Sequence, residues 1–302
     1  MMLFFCKDRF DTGLKVFYFS IVFCPLICIG IACSSRPEKS GIVSIGPNIT
    51  EIIFALGANQ QLKGIGDFDD YPPETQNINR IGSYLSPNLE KITSLKPATI
   101  IVSGEIPQLK ELSQQLGIQY HSIPMDTLQQ IYDGITLIGD ITHTKNKAKY
   151  LITEMKNNFQ KLEEMTKNLA PVPTLLVVGR EPRDLSSIQV AGGQSFLSEI
   201  LRLAGGKNVF EDSTQNYLEI SSEQVLSKAP EVIVEFRCGE NLTQKQLDAL
   251  FLDWKALDSV PAIQKSRIYF ILESYGMRPG PRICDIAQKI ATLLHPEVEL
   301  GL

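Results

Sequence analysis

Histidine is scarce in this chain of 302 residues, where His121, His143 and His295 are the only three and lie far apart. A metal site built from histidines therefore has little support. The sequence also has no Cys-x-x-Cys pair, which argues against a zinc ribbon or a thioredoxin-like centre. Basic residues do not exceed acidic ones, and the net charge of -5 gives no basic surface that would indicate nucleic acid as a partner.

The common signatures of enzymes are missing as well. There is no P-loop, no Gly-x-Ser-x-Gly elbow and no paired-histidine motif. Gly64-Ile-Gly66 lacks the third glycine of a dinucleotide loop, and Asp67 follows it, where a phosphate would be repelled. A two-lobed transferase or hydrolase using Asp67, Asp69 and Asp70 is the alternative of a different class. We interpret these three acids as solvated loop residues and expect no catalytic site.

The N-terminal segment is typical of an export signal. Three basic residues, the last of them Lys15, precede an uncharged apolar run over residues 16–32. The run ends Ile29-Gly-Ile-Ala-Cys33, which resembles the lipobox of bacterial lipoproteins, although Gly30 stands where leucine is usual. We predict a signal peptide over residues 1–33, lipid attachment at Cys33, and a linker over residues 34–40 that tethers an exported protein to a membrane. An uncleaved anchor and a soluble secreted form are the alternatives.

Only Cys238 and Cys284 remain beyond that segment. They could form one disulfide bond or remain two isolated thiols. The sequence leaves both possibilities open.

Strands and helices alternate at short spacing after residue 41, within a composition that is 43% hydrophobic and a length that favours two domains. Apolar strands are predicted at 41–45, 62–66, 99–103 and 118–123, with helices between them at 47–56, 88–95 and 107–116. Such alternation is typical of βαβ units and a mainly parallel sheet. We predict an α/β lobe over residues 41–143.

A stiff aromatic loop precedes the helix predicted at 88–95. Pro72 and Pro73 restrict its backbone, so that Tyr71 and its neighbours Phe68 and Tyr84 can offer flat apolar faces to a ligand at a low entropy cost. Capping of the core is the alternative role for these aromatic residues. Ser86 is predicted to cap the helix, with a proline at the first helical position.

One long amphipathic helix is predicted next. Apolar residues recur every three or four positions from Ala148 to Leu169, and no glycine or proline interrupts them. A helix of about 25 residues spans roughly 38 Å. We predict that residues 144–170 bridge the first lobe to a second α/β lobe over residues 171–302; packing within a single domain is the alternative.

The second half of the chain repeats the first. The segment from Glu90 to Pro97 aligns with that from Glu223 to Pro230 without a gap, and a tyrosine, Tyr84 or Tyr217, stands six residues before each glutamate. A second internal similarity pairs residues 51–57 with residues 199–205. These similarities predict two Rossmann-like lobes with a ligand cleft between them.

The two repeated pairs have distinct expected roles. Tyr84 and Tyr217 would approach a shared ligand from opposite sides. Glu90 and Glu223 would mark equivalent outer points, as docking sites for a basic partner or simply as favourable charges at helix N-termini.

Several motifs resemble a known family. Asp70-Tyr-Pro-Pro-Glu74, Ile81-Gly-Ser-Tyr-Leu85, Leu203-Ala-Gly-Gly-Lys-Asn-Val-Phe210 and Arg278-Pro-Gly-Pro-Arg282 are similar to the substrate-binding proteins of cobalamin and iron-chelate ABC importers, and most similar to the cobalamin-binding periplasmic members. The resemblance covers nearly all of residues 41–296. It implies two α/β lobes on a single backbone helix, a monomer, and capture of a corrinoid for a membrane permease, with no cofactor of its own.

The resemblance also implies site residues, position by position. The corrinoid pocket falls on these residues: Pro47, Phe68, Tyr84, Ser103, Tyr217, Tyr275 and Arg278. Asn48, Ser103 and Arg278 would orient the ligand through polar contacts, while Glu90 and Glu223 correspond to the glutamates that meet permease arginines. Tyrosines replace tryptophans of well-studied members, and Met277 stands where an acid is expected.

Two alternatives keep the same fold. A ferric siderophore or haem could pair with the arginines at 180, 183, 278 and 282, and a tyrosine could bind haem iron. A surface adhesin is the other alternative.

Overall fold

The computed structural model describes residues 39–297. The predicted signal peptide and Cys33 lie outside these described residues. Within the described part of the chain, none of the helices has both the length and the apolar character required to cross a bilayer. The described residues form one compact unit.

The first half of this unit holds a five-stranded parallel sheet in the order β3-β2-β1-β4-β5. Its strands are β1 (Ile42–Ile45), β2 (Leu62–Ile65), β3 (Asn79–Arg80), β4 (Thr99–Ser103) and β5 (Gln119–Ile123). The helices that follow them are α1 (Pro47–Ala55), α2 (Leu89–Leu95), α3 (Pro107–Leu116) and α4 (Leu128–Ile141). Every residue of β1 is buried because helices cover both faces of the sheet. The predicted parallel α/β arrangement is confirmed here.

A single helix, α5 (Lys145–Thr166), connects the two sheets. It lies within the predicted range of residues 144–170, beginning one residue later and ending four residues earlier. Its buried side chains, among them Met155, Phe159 and Leu162, pack on α4 and on two helices of the second half. The core cluster that contains these side chains includes residues of both halves, and it makes the bridge rigid.

The second sheet has the order β11-β10-β6-β7-β9, with β8 paired to β6. Its strands are β6 (Val172–Arg180), β7 (Ile188–Ala191), β8 (Gly206–Asn208), β9 (Tyr217–Ile220), β10 (Val232–Phe236) and β11 (Ile268–Ile271). Its helices are α6 (Phe196–Leu203), α7 (Ser222–Lys228), α8 (Gln244–Trp254), α9 (Pro261–Gln264) and α10 (Ile283–Leu294). Unlike the first sheet, it is mixed, because β7 follows β6 after a loop over residues 181–187 and runs antiparallel to it.

The sequence repeat corresponds to a structural repeat. Helices α2 and α7 each have seven residues, and the strands that follow them, β4 and β10, each have five. Both helices end at a residue in the left-handed conformation, Lys96 (φ 48°) or Ala229 (φ 43°), which directly precedes a proline. Since neither residue is glycine, this shared and unfavourable conformation indicates a common architecture of the two halves.

The cap predicted for α2 is wrong. Asn88, not Ser86, is the N-cap residue, and its side chain accepts a hydrogen bond of 2.9 Å from Lys91 N. Ser86 and Pro87 belong instead to a turn that an antiparallel bridge between Gly82 and Pro87 closes. This turn delays the start of the helix.

Candidate ligand-binding site

Three loops meet at the carboxyl edge of the first sheet. Asn48, in the first turn of α1, is buried, and its Nδ2 donates to Ser103 Oγ and to Met125 Sδ, both at 3.1 Å. Ser103 is the last residue of β4, and Met125 follows β5. Gly46 (φ 127°) is needed at the start of α1, since a side chain there would meet Asn48 and Ser103. Pro47 and Ser103 are half-buried, so they form part of the surface of this edge.

Tyr84 lies on the same edge. Its hydroxyl donates to Glu105 O at 3.1 Å and lies against Gly104, directly after β4, while the residue remains 40% exposed. The loop of Phe68 is tied to it, because Asp67 Oδ1 accepts a hydrogen bond of 3.2 Å from Gly82 N. Phe68 is 70% exposed. Two large aromatic side chains thus remain accessible at one sheet edge.

Tyr217 approaches this edge from the second half. It is the first residue of β9 and, like Tyr84, remains 40% exposed. Burial of its hydroxyl, together with the negative charge of Asp126, raises the pKa of Tyr217 to about 12. Asp126 follows β5, and its carbonyl oxygen accepts a hydrogen bond from Phe196 N of the second half. Tyr84 and Tyr217 therefore lie near the ends of two neighbouring strands, β4 and β5.

A charged clasp joins the two halves on one side of this edge. Glu51, which is buried in α1, accepts from Arg282 Nε at 2.9 Å and from Arg282 Nη2 at 2.6 Å. Arg278 Nη1 lies 3.2 Å from Glu51 Oε1 and 2.6 Å from Asp70 Oδ1. Burial alone would raise the pKa of Asp70, but the hydrogen bond and charge of Arg278 outweigh it and lower that pKa.

Two tyrosines complete the clasp. The guanidinium carbon of Arg282 lies 3.8 Å from the ring centre of Tyr71 and 4.1 Å from that of Tyr275. The cation is therefore held between one aromatic ring from each half. Such contacts add to the ion pairs when the cation is removed from water.

Several predicted polar residues thus have protein partners. Arg278 is engaged by Glu51 and Asp70, and the amide nitrogen of Asn48 by Ser103 and Met125. Arg278 and Asn48 therefore hold loops of the site in place. Arg180 has no exposed side-chain surface and pairs with Glu235 and Asp253, as Arg282 pairs with Glu51.

The interpretation of the acidic loop as solvated is wrong for Asp69. This residue is 1% exposed and accepts hydrogen bonds from Thr50 Oγ1 and from Gly66 N. Burial raises the pKa of Asp69 to about 6, against the opposing effect of those hydrogen bonds. The loop folds beneath α1, and its buried carboxylate fastens it there.

The two described cysteines and the tryptophan are not among the residues that form this edge. Cys238 and Cys284 are free thiols, and burial raises their pKa values to about 11 and about 12. Trp254 is fully buried, and its Nε1 donates to Glu235 Oε2 at 2.9 Å. Among the described residues, no group of three or more His, Cys, Asp or Glu side chains is arranged to hold a metal ion.

Glu90 and Glu223 are exposed in the first turns of α2 and α7. A hydrogen bond with the Ser221 side chain lowers the pKa of Glu223. Because α2 and α7 are equivalent in the repeat, the two carboxylates occupy equivalent points of the two halves.

Sequence reasoning did not find the residues that join the halves. Glu199 Oε2 accepts a hydrogen bond of 2.6 Å from Leu128 N at the start of α4, and Glu51 holds the clasp. The sequence did point to both residues, because the second internal similarity aligns Glu51 with Glu199.

Comparisons with known proteins agree with this geometry. The family described as periplasmic binding protein matches residues 42–275. A vitamin B12-binding protein of Vibrio cholerae is 27% identical over 278 residues, which are 91% of this chain and 96% of that protein. An ABC transporter substrate-binding lipoprotein of Bacillus subtilis is 24% identical, over 87% of this chain and 82% of that protein. The crystal structure of a periplasmic haem-binding protein of Vibrio cholerae has a TM-score of 0.74 and 27% identity, and it covers 86% of this chain and all of that one.

Proposed function

Because the chain belongs to the periplasmic binding protein family, we propose that it is the substrate-binding component of an ABC importer, which captures a corrinoid between its two halves and delivers it to a membrane permease. The placement of Tyr84 and Tyr217 at neighbouring strand ends is the observation that carries this proposal. The similarity to a vitamin B12-binding protein supports the choice of ligand.

The exposed aromatic side chains suit a corrin. This ligand is a broad disc with apolar faces and a rim of amides, so Phe68, Tyr84 and Tyr217 can cover its faces. Each aromatic contact contributes roughly 0.5 to 1.5 kcal/mol beyond the buried area. Pro47 and Ser103 would form the floor of the site. Binding of this kind requires neither proton transfer nor bond cleavage.

The polar residues would act partly through the loops they hold. Asn48 fixes Ser103, while Arg278 and Tyr275 belong to the loop that the clasp holds against the first half. We assign Asn48, Tyr275 and Arg278 to the rim of the site. A cleft whose walls are held by buried ion pairs and a continuous core is largely pre-formed, which reduces the entropy cost of binding.

Delivery requires a second surface and a location near the membrane. Glu90 and Glu223 would pair with arginines of the permease, one on each half of the receptor. Lipidation of Cys33 would keep the receptor close to that permease, in the periplasm or at the cell surface. The similarity to a substrate-binding lipoprotein supports this anchoring.

Haem is the second candidate ligand. The structural likeness to a haem-binding protein favours it, and Tyr84 or Tyr217 could ligate haem iron. A porphyrin is also flat, so the aromatic residues alone do not distinguish it from a corrin.

An absorbance titration separates these ligands. The purified exported chain would be titrated with cyanocobalamin, hemin and a ferric hydroxamate in parallel. We expect saturable one-to-one binding of cyanocobalamin at micromolar concentration or below. Tighter binding of hemin or the hydroxamate would contradict the corrinoid assignment, and chemical turnover of a bound ligand would contradict a pure binding role.

A further inference from the structure

A cavity of about 490 Å³ lies at the carboxyl ends of β6 and β10 in the second half. Arg180, Arg237 and Met277 contribute to its walls, together with the acids Glu181, Asp184 and Glu240. A neighbouring cavity of about 340 Å³ shares Arg237 and Glu240 with it. The proposed binding of a flat ligand by aromatic faces uses neither cavity.

Arg237 is the donor beneath this cavity. The residue is 8% exposed, and its Nε donates to Glu235 Oε1 at 2.8 Å. Its Nη2 also lies 2.8 Å from that oxygen and is itself buried. Its Nη1 is 3.6 Å from Glu240. A guanidinium has five N–H groups, and those of Nη1 remain for a ligand in the cavity.

The other polar groups around the cavity are acceptors. Glu181, Asp184 and Glu240 are exposed at its rim, and hydrogen bonds to Ser186 lower the pKa of Asp184. Arg180 does not offset these charges, because Glu235, Asp253 and the carbonyl oxygen of Leu250 already engage its guanidinium. A ligand group here would therefore meet one buried donor and several carboxylates.

The cavity adjoins the junction of the two halves. Cys238, which follows Arg237, lies against Gly276, and Met277 lines the cavity. The next residue, Arg278, binds Asp70 of the first half. The loop that lines the cavity therefore continues directly into the junction of the two halves, where the ligand is proposed to lie.

We propose that this cavity receives a neutral carboxamide arm of the ligand and rejects a carboxylate in the same position. The inference rests on the proposed function and adds a basis for selectivity to it. An amide oxygen can accept from Arg237 while the amide nitrogen donates to Glu240 or Asp184. A carboxylate loses the second interaction and faces like charges, which weakens its binding by roughly tenfold or more. The receptor thus prefers a corrinoid with intact rim amides to its acid derivatives and to a porphyrin with two propionates.

The test compares cyanocobalamin with its monocarboxylic acids, in each of which one rim amide has been hydrolysed. Affinities would be measured at pH 7 for the exported chain and for a variant carrying Asp184→Asn and Glu240→Gln. We expect at least one acid to bind the unmodified chain about tenfold more weakly than cyanocobalamin, and the double variant to reduce that ratio to about threefold or less. Arg237→Met should weaken cyanocobalamin itself by about tenfold.

Glu231→Gln is the matched control. Glu231 precedes β10, at the opposite end from the cavity, and its side chain is 43% exposed against 45% for Glu240. This change should leave the ratio of the affinities for cyanocobalamin and its monocarboxylic acid unaltered. Equal affinities for the amide and all acids, or a ratio that the double variant does not change, overturns the inference while leaving corrinoid capture intact. Failure of cyanocobalamin to bind the unmodified chain overturns both.

Discussion

Glu51 and Glu199, which the sequence repeat aligns, each bond to the half of the chain to which they do not belong. Glu51 holds Arg282 and Arg278 of the second half, and Glu199 caps the first residue of α4 in the first half. The duplicated glutamate thus serves the same purpose twice, with different partners. Together with the shared core, these bonds fix the relative position of the two halves.

Loss of the clasp should destabilise the protein strongly. We expect Glu51→Gln to lower the free energy of unfolding by about 3 to 5 kcal/mol, because two guanidinium groups then lose their buried partner. Urea denaturation measures this change. Glu163→Gln, which removes an exposed pair with Arg202, should cost no more than about 1 kcal/mol. Equal losses of unfolding free energy in the two variants would show that the clasp stabilises the protein no more than an exposed ion pair does.

Both cleft tyrosines should contribute to ligand affinity. We expect Tyr84→Ala and Tyr217→Ala each to weaken cyanocobalamin binding about tenfold, since each removes an aromatic face. Tyr150, which is 64% exposed on α5, provides the control, and Tyr150→Ala should bind normally. A strong effect of one cleft tyrosine with none of the other would refute a site shared by the two halves.

The repeated glutamates should matter for delivery alone. Replacing both Glu90 and Glu223 with alanine should leave ligand affinity unchanged and abolish uptake into cells or vesicles that carry the permease. Their exposed positions at helix N-termini make a folding defect unexpected. A loss of ligand affinity in the double variant would assign these residues to the binding site instead.

Asp69 should make stability depend on pH. Its pKa is about 6 in the folded protein against 3.8 for a free side chain, so the folded state binds the proton more tightly. Its contribution to the free energy of unfolding therefore falls as pH rises from 3.8 to 6, by about 3 kcal/mol. Asp69→Asn removes this dependence. Urea denaturation at pH 4, 5, 6 and 7 should show that the free energy of unfolding of the variant increases relative to that of the unmodified chain as pH rises. A difference that stays constant with pH would disprove the role of Asp69.

The start of α2 offers a direct test of capping. Asn88→Ala should cost about 1 kcal/mol of stability because Lys91 N loses its acceptor. Ser86→Ala, two residues earlier, should change stability by less than about 0.5 kcal/mol. Thermal unfolding of the two variants measures the difference, and a larger effect at Ser86 would contradict the observed cap.

Local patterns predicted much of the fold. The strand at 99–103 and the helix at 107–116 have the predicted bounds, because short apolar runs and helix-breaking residues are strong local signals. Ser86 and Asn88 are equally good caps by residue type. The choice between them depended on the bridge between Gly82 and Pro87, which residue type alone does not show.

Pairings between distant residues could not be predicted. Nothing near Asp69 indicates that its loop folds under α1, and Glu51 is more than 200 positions from its arginines. The repeat brought Tyr84 and Tyr217 to attention because duplication preserves spacing. The repeat could not reveal which arginines form ion pairs within the protein. An arginine suits a ligand contact and a structural ion pair equally well, and Arg278 and Arg282 form the latter.

The position of Trp254 has a practical consequence. Its indole, the only one in the chain, is shielded from water and donates to Glu235, which also binds Arg180 and Arg237. Tryptophan fluorescence therefore arises from a single indole inside the second half. The emission maximum of Trp254 would shift when the core around it unfolds. A strongly absorbing bound ligand would instead quench the emission intensity through energy transfer, without contacting the indole. One spectrum can thus follow unfolding and occupancy separately.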